Sequence, residues 1–216
     1  MVKFYYAPWS RAFGVLWLLE ELGVEYDRFH VDIRAAIGVP EAYRAIQPNK
    51  KVPAIDHDGL VVTERAAITI YLADAFPDAG LAPPIGSKER ARFLTAAIYV
   101  DSVLDPCVAA KAHGLDYKSA EYSFGVFKDM VAYVERRLHR HSFASGDHFT
   151  AADTQLGAAI DFSMNRIKVL PERPVFQAYL ERVKERPAYK RATAIDNEEA
   201  RRVPVLLKQM AQTAVP

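Results

Sequence analysis

The chain has 216 residues, half of them hydrophobic and a quarter charged, a globular balance that allows a sizeable core. Lys and Arg number 28 against 27 Asp and Glu, and no basic run stands out, so charge gives no footprint for nucleic acid. The single cysteine, Cys107, excludes an intrachain disulfide, argues against a zinc cluster and points to a reducing compartment; the length predicts two modest domains.

Met1-Val2-Lys3 passes directly into an apolar run ending at Tyr6, with no signal-peptide pattern ahead of it. In the first helical segment the longest uncharged apolar run is Phe13 to Leu19, far short of the roughly 20 residues a bilayer requires. These features predict a cytoplasmic protein with no membrane segment.

Lys3 to Tyr6 reads as a strand broken by Ala7-Pro8. Ser10 then stands where it can cap a helix with Val15, Leu18, Leu19 and Leu22 at helical spacing. Phe13, Leu16 and Trp17 add a second stripe, Glu20 and Glu21 mark a wet face, and Gly23 closes the helix. Tyr26 to Asp32 alternates as a second strand, completing a βαβ unit. A short helix near Glu41 to Ile46 and a turn at Pro48-Asn49 follow. Val52 to Ile55 and Leu60 to Val62 form strands around Asp56-His57-Asp58-Gly59, a hairpin signal. A helix from about Glu64 to Ala75 ends the unit.

The order βαβ then ββα is that of an α/β thioredoxin-like domain, placed at residues 1–76. Residues 77–87, rich in Pro and Gly, form the linker. Residues 88–216 read as an all-α helical bundle, striped by Phe93, Leu94, Ala97, Ile98 and Leu104, by Phe127 to Leu138, and by Val175 to Val183. Gly146 to Asp153 places Thr150 three residues before Asp153, a capping box of structural role.

Five stretches, in order over nearly the whole chain, carry a family resemblance: YYAPWSRAFGVLWLLEELG, KKVPAI, LVVTERAAITIYLADAFPD, GDHFTAADTQLGAAI and RPAYKRATAID. Together they resemble the cytosolic glutathione S-transferases. The resemblance implies a bacterial-type enzyme that joins the thiolate of reduced glutathione to small hydrophobic electrophiles, acts as a homodimer and uses no metal. A glutathione-binding protein of weak or no transferase activity is the alternative.

The family's proline in the block KKVPAI follows a cis bond. At Val52-Pro53 such a bond turns the Val52 backbone outward to pair with the cysteinyl backbone of glutathione. The resemblance assigns Glu64 to the γ-glutamyl ammonium. Arg65 stands where the family has Ser; it either grips the carboxylate or points into solvent. Thiol activation calls for a hydroxyl near the first helix. In the turn Ala7-Pro8-Trp9-Ser10, which resembles a redox turn with both cysteines gone, Ser10 is the candidate, with Tyr6 behind it and backbone amides or a plain helix cap as the alternatives. Trp9 is expected as a wall of the site or a contact between domains. Arg11, Lys50 and Lys51 are expected to form a basic neighbourhood suited to the anionic tripeptide, with Lys51 as the contact, and Cys107 is expected as a packed apolar residue.

Overall fold

The computed structural model describes residues 1–213. Strand β1 (Val2–Tyr6) leads to helix α1 (Phe13–Leu22) and strand β2 (Tyr26–His30). A 3-10 helix (Glu41–Ala45) precedes strands β3 (Ala54–His57) and β4 (Leu60–Thr63) and helix α2 (Arg65–Ala75). The sheet order is β2-β1-β3-β4, with β1 parallel to β2 and antiparallel to β3, and β3 antiparallel to β4. This is the thioredoxin-like order expected from the sequence.

Local chemistry explains the boundaries. Gly23, at φ 65°, ends α1 by donating its amide to the Leu19 carbonyl at 3.1 Å. Asp58 (φ 52°) and Gly59 (φ 89°) give the β3–β4 hairpin the two positive φ values of a type I′ turn. Strand β2 stops two residues short of the expected Asp32, because the Asp32 carboxylate accepts the amide of Arg34 at 2.9 Å and starts a turn.

After a 3-10 turn at Pro77–Ala79, the rest is helical: α3 (Lys88–Tyr99), α4 (Asp105–Ala112), α5 (Phe127–Arg140), α6 (Ala151–Asp161), α7 (Pro174–Lys184), α8 (Pro187–Arg201) and α9 (Pro204–Thr213). A π-helical turn (Val100–Leu104) joins α3 to α4. By length and composition the stretch Lys88–Ala112 could cross a membrane. Its Phe93, Ala97, Val100, Leu104 and Val108 are buried in the helical core, and Asp101 and Asp105 interrupt it, as suits a core helix.

The chain divides into two compact units: residues 1–63 with residues from 187 onward, and residues 64–186. In the first, α8 lies on α1: Tyr189 meets Trp17 edge-on at 4.9 Å and Phe13 at 5.6 Å. Glu20 is not on a wet face, as its helix spacing suggests. It accepts Arg191 Nε at 2.8 Å and the Tyr26 hydroxyl at 2.7 Å, so α8 covers it.

In the second unit the core gathers on α6, whose residues are almost all buried. The capping box is realised: the Thr150 amide donates to Asp153 Oδ2 at 2.9 Å. Asp153 also accepts the amide of Ala144 at 2.7 Å and the Tyr179 hydroxyl at 2.9 Å. Burial pushes the Asp153 carboxyl up from 3.8 to about 6, while these donors pull it down. A folded-state pKa above the unfolded one means the folded protein binds more protons between these values. Stability from this group is therefore full below pH 4 and lost as pH rises through 6. The stability difference between wild type and Asp153→Asn, measured by urea unfolding, should fall by up to about 3 kcal/mol from pH 4 to pH 7. A difference constant with pH would refute this.

Candidate active site

Strand β1 alternates cleanly. Val2, Phe4 and Tyr6 are buried, and Lys3 and Tyr5 are half-exposed. Tyr6 therefore points inward, stacked on Phe4 at 5.2 Å and only 1% exposed. Its hydroxyl finds no hydrogen-bond partner among the described residues. Burial, reinforced by the carboxylate of Glu199, holds the phenol far above its ordinary pKa. The two candidate hydroxyls are thus separated: Tyr6 is inside the unit, and Ser10 sits half-exposed in the turn.

Ser10 is not the cap of α1. The helix starts at Phe13, and its N-cap position is Ala12. Ser10 Oγ instead accepts the Ala12 amide at 3.1 Å and donates to the Ala7 carbonyl at 2.7 Å, a closed turn two residues ahead of the helix. Its hydroxyl stands beside the amide-rich end of α1, where the helix dipole favours an anion.

Trp9 joins the N-terminal turn to the later helices, one of the two roles expected of it. Its amide donates to both oxygens of Asp196, at 3.2 and 3.3 Å, and its indole N–H to Asn197 Oδ1 at 2.9 Å. Arg34 donates to its carbonyl at 3.0 Å, and the ring packs on Ala200, Val203 and Leu206. The residue anchors the turn to α8 and α9. The reason is backbone conformation. Trp9 sits at φ 53°, which costs a bulky residue about 1–2 kcal/mol and persists only where its surroundings enforce it.

The Val52–Pro53 bond is cis. The loop before it is held from behind: Tyr43 donates to the Lys51 carbonyl at 3.0 Å, and the Lys51 amide donates to Gln47 Oε1 at 2.9 Å. Lys50 turns away, to the Val39 carbonyl and Glu41 at 3.1 Å each. Lys51 is exposed, while Val52 and Arg11 are half-buried and Pro53 is buried. Ser10, Arg11, Lys51, Val52 and Pro53 all lie in the first unit.

Glu64 and Arg65 open the second unit. Glu64 is exposed and sits at φ 66°, ψ 124°, a sparsely populated conformation for a residue with a side chain and of the kind found at ligand clamps. Arg65 follows neither path open to it from the sequence. Its guanidinium is buried and paired with both Asp101 and Asp105. Asp101 Oδ2 also accepts the Ala66 amide at 2.9 Å, so it caps the start of α2. The two carboxylates could have been seen in the sequence as an i, i+4 pair, but nothing there names Arg65 as their partner. Asp196 and Asn197 gave no local signal at all.

Cys107 is buried, with Sγ 3.5 Å from the Phe124 carbonyl, and burial pushes its thiol up, which suits packing rather than nucleophilic chemistry.

With this geometry in place, comparison with known proteins is decisive. The profile of the glutathione S-transferase N-terminal domain matches residues 1–74, and that of the C-terminal domain matches residues 103–191. The chain belongs to the glutathione S-transferase family. A theta class glutathione S-transferase from Xanthomonas axonopodis pv. citri, solved with glutathione bound, superposes with a TM-score of 0.72 at 28% identity, covering 88% of this chain and 96% of that one. Maleylacetoacetate isomerase of Dictyostelium discoideum is 28% identical over 69% of this chain and 72% of its own length. Protein LigF of Sphingobium is 33% identical, but that match spans 48% of this chain and 41% of LigF. The family therefore includes relatives named for different reactions.

Proposed function

We propose that this chain is a cytoplasmic, homodimeric glutathione transferase that joins the thiolate of reduced glutathione to a small hydrophobic electrophile. The observation that carries the reading is the Ser10 hydroxyl, held half-exposed in the turn between β1 and α1 with its Oγ 3.1 Å from the Ala12 amide. Released from the Ala7 carbonyl, this O–H donates to the glutathione sulfur and favours the thiolate. The thiol proton leaves to solvent, the sulfur attacks the electrophilic carbon, and the leaving group departs with its bonding electrons. A charge-assisted hydrogen bond of about 1.5–3 kcal/mol is the right order to lower a thiol pKa by one to two units. The backbone of Val52 pairs with the cysteinyl unit, Pro53 holds that edge, Lys51 and Arg11 meet the peptide's negative charge, and Glu64 takes the γ-glutamyl ammonium.

A second reading, glutathione binding with weak transfer, is favoured by one observation: the residue in the family's Ser position is Arg65, whose guanidinium is committed to Asp101 and Asp105.

Thermal unfolding tests both readings. Glutathione at about 100 times its dissociation constant should stabilise the chain by about 2.7 kcal/mol, raising Tm by roughly 5–10 °C. No shift at millimolar glutathione, beside a control thiol, would end both. A conjugation assay then separates them, and light scattering checks the dimer.

A further inference from the structure

We propose that Asp196 is a positioning residue for Ser10: by holding the amide of Trp9 it fixes the turn that aims the Ser10 hydroxyl, an inference that rests on the thiol-activating role given to Ser10. Three observations within one compact unit carry it. Asp196 is almost fully buried, yet it lies 187 residues from Trp9 and turns both carboxylate oxygens to that one amide. Trp9 is held in the left-handed region at φ 53°, a conformation an indole-bearing residue leaves unless restrained. Ser10 is the next residue, so the Trp9–Ser10 peptide plane sets where its hydroxyl points.

The other holds on Trp9 do not replace Asp196. Arg34 takes the carbonyl, on the other side of the residue from the amide that Asp196 holds. Asn197 and the Ala200, Val203, Leu206 cluster fix the indole, which can stay seated while the backbone turns about φ. The carboxylate is thus the group that decides between the strained turn and a relaxed one. A relaxed turn swings the Ser10 hydroxyl away from the ligand's sulfur and leaves the peptide-binding edge at Val52 untouched.

The test uses the full chain and its Asp196→Ala and Asp196→Asn variants, with Ser10→Ala beside them. Bound glutathione is titrated by ultraviolet absorbance of its thiolate, conjugation kinetics are split into kcat and KM, and the Trp9 backbone amide is followed by 1H–15N NMR. Asp196→Ala should raise the apparent thiol pKa by about one unit and lower kcat roughly 10- to 100-fold. The KM for glutathione should stay within about threefold, and the Trp9 amide signal should move upfield. Asp196→Asn, which keeps one acceptor oxygen, should fall between, and the double variant with Ser10→Ala should match Ser10→Ala alone. A lower melting temperature with thiol pKa and kcat unchanged makes Asp196 structural only and overturns the proposal, as does an unmoved Trp9 amide. If Ser10→Ala itself leaves the thiol pKa alone, it is the activating role of Ser10 that fails. The positioning role, which rests on it, then fails too, whereas a raised pKa in Ser10→Ala beside a silent Asp196→Ala overturns the positioning role alone.

Discussion

Arg65→Ala should destabilise the protein by about 2–4 kcal/mol, at the lower side of the range for breaking a buried pair because both aspartates keep some solvent. The substitution removes the guanidinium that pairs with both Asp101 and Asp105, 29% and 18% exposed. It also frees the Asp101 carboxylate that caps Ala66. For a chain of this size Tm should drop by roughly 5–15 °C, read by calorimetry. Adding Asp105→Ala to Arg65→Ala should recover part of the loss, because the uncompensated charge is halved. The ligand-contact alternative predicts another pattern, in which glutathione affinity collapses while Tm barely moves. That outcome would show the guanidinium leaving its aspartates when ligand arrives.

Ser10→Ala should raise the pKa of bound glutathione and cut turnover by roughly 10- to 150-fold, the kinetic equivalent of losing a hydrogen bond of about 1.5–3 kcal/mol to a charged sulfur. Affinity for the tripeptide should change little. Stability should drop by no more than about 1 kcal/mol, because the residue bridges Ala7 and Ala12 ahead of α1 rather than capping it. Tyr6→Phe is the paired control. It removes a buried hydroxyl that has no hydrogen-bond partner among the described residues, so it should leave the thiol pKa alone and leave stability unchanged or raised by about 1 kcal/mol. A shift in Tyr6→Phe alone would move the catalytic role to Tyr6. Silence in both variants would assign activation to backbone amides at the start of α1.

Features written in a few neighbouring residues were legible in the sequence. Asp58-Gly59 announces its turn because both residues tolerate positive φ, and Gly23 its helix end for the same reason. Thr150 and Asp153 announce their box because both partners lie within one turn of helix. Ser10 was misplaced because a serine ahead of an apolar helical stripe satisfies the capping pattern whether the helix starts at the next residue or three later. Arg65 and Trp9 kept their partners hidden for a different reason. Each is fixed by carboxylates remote in sequence, Asp101 and Asp105 for one and Asp196 for the other, and no periodicity links such positions. Glu20 teaches the same lesson in reverse, since a glutamate on a polar stripe reads as solvated until a distant Arg191 covers it.

That residues 1–63 close into one compact unit only with the chain beyond residue 187 has a consequence for synthesis. At translation rates of about 5–20 residues per second, Trp9 is incorporated roughly 10–40 seconds before Asp196. During that interval α1 keeps the apolar surface of Trp17 and Phe13 without Tyr189, and the strained turn lacks the Asp196 and Asn197 contacts to Trp9. The nascent protein is thus built so that its chemistry waits for its last helices. A product cut short before α8 carries every residue of the thioredoxin-like sheet and the Ser10 hydroxyl, yet lacks the Asp196 carboxylate that holds the Trp9 amide. It also shows a sticky face that chaperones and proteases recognise.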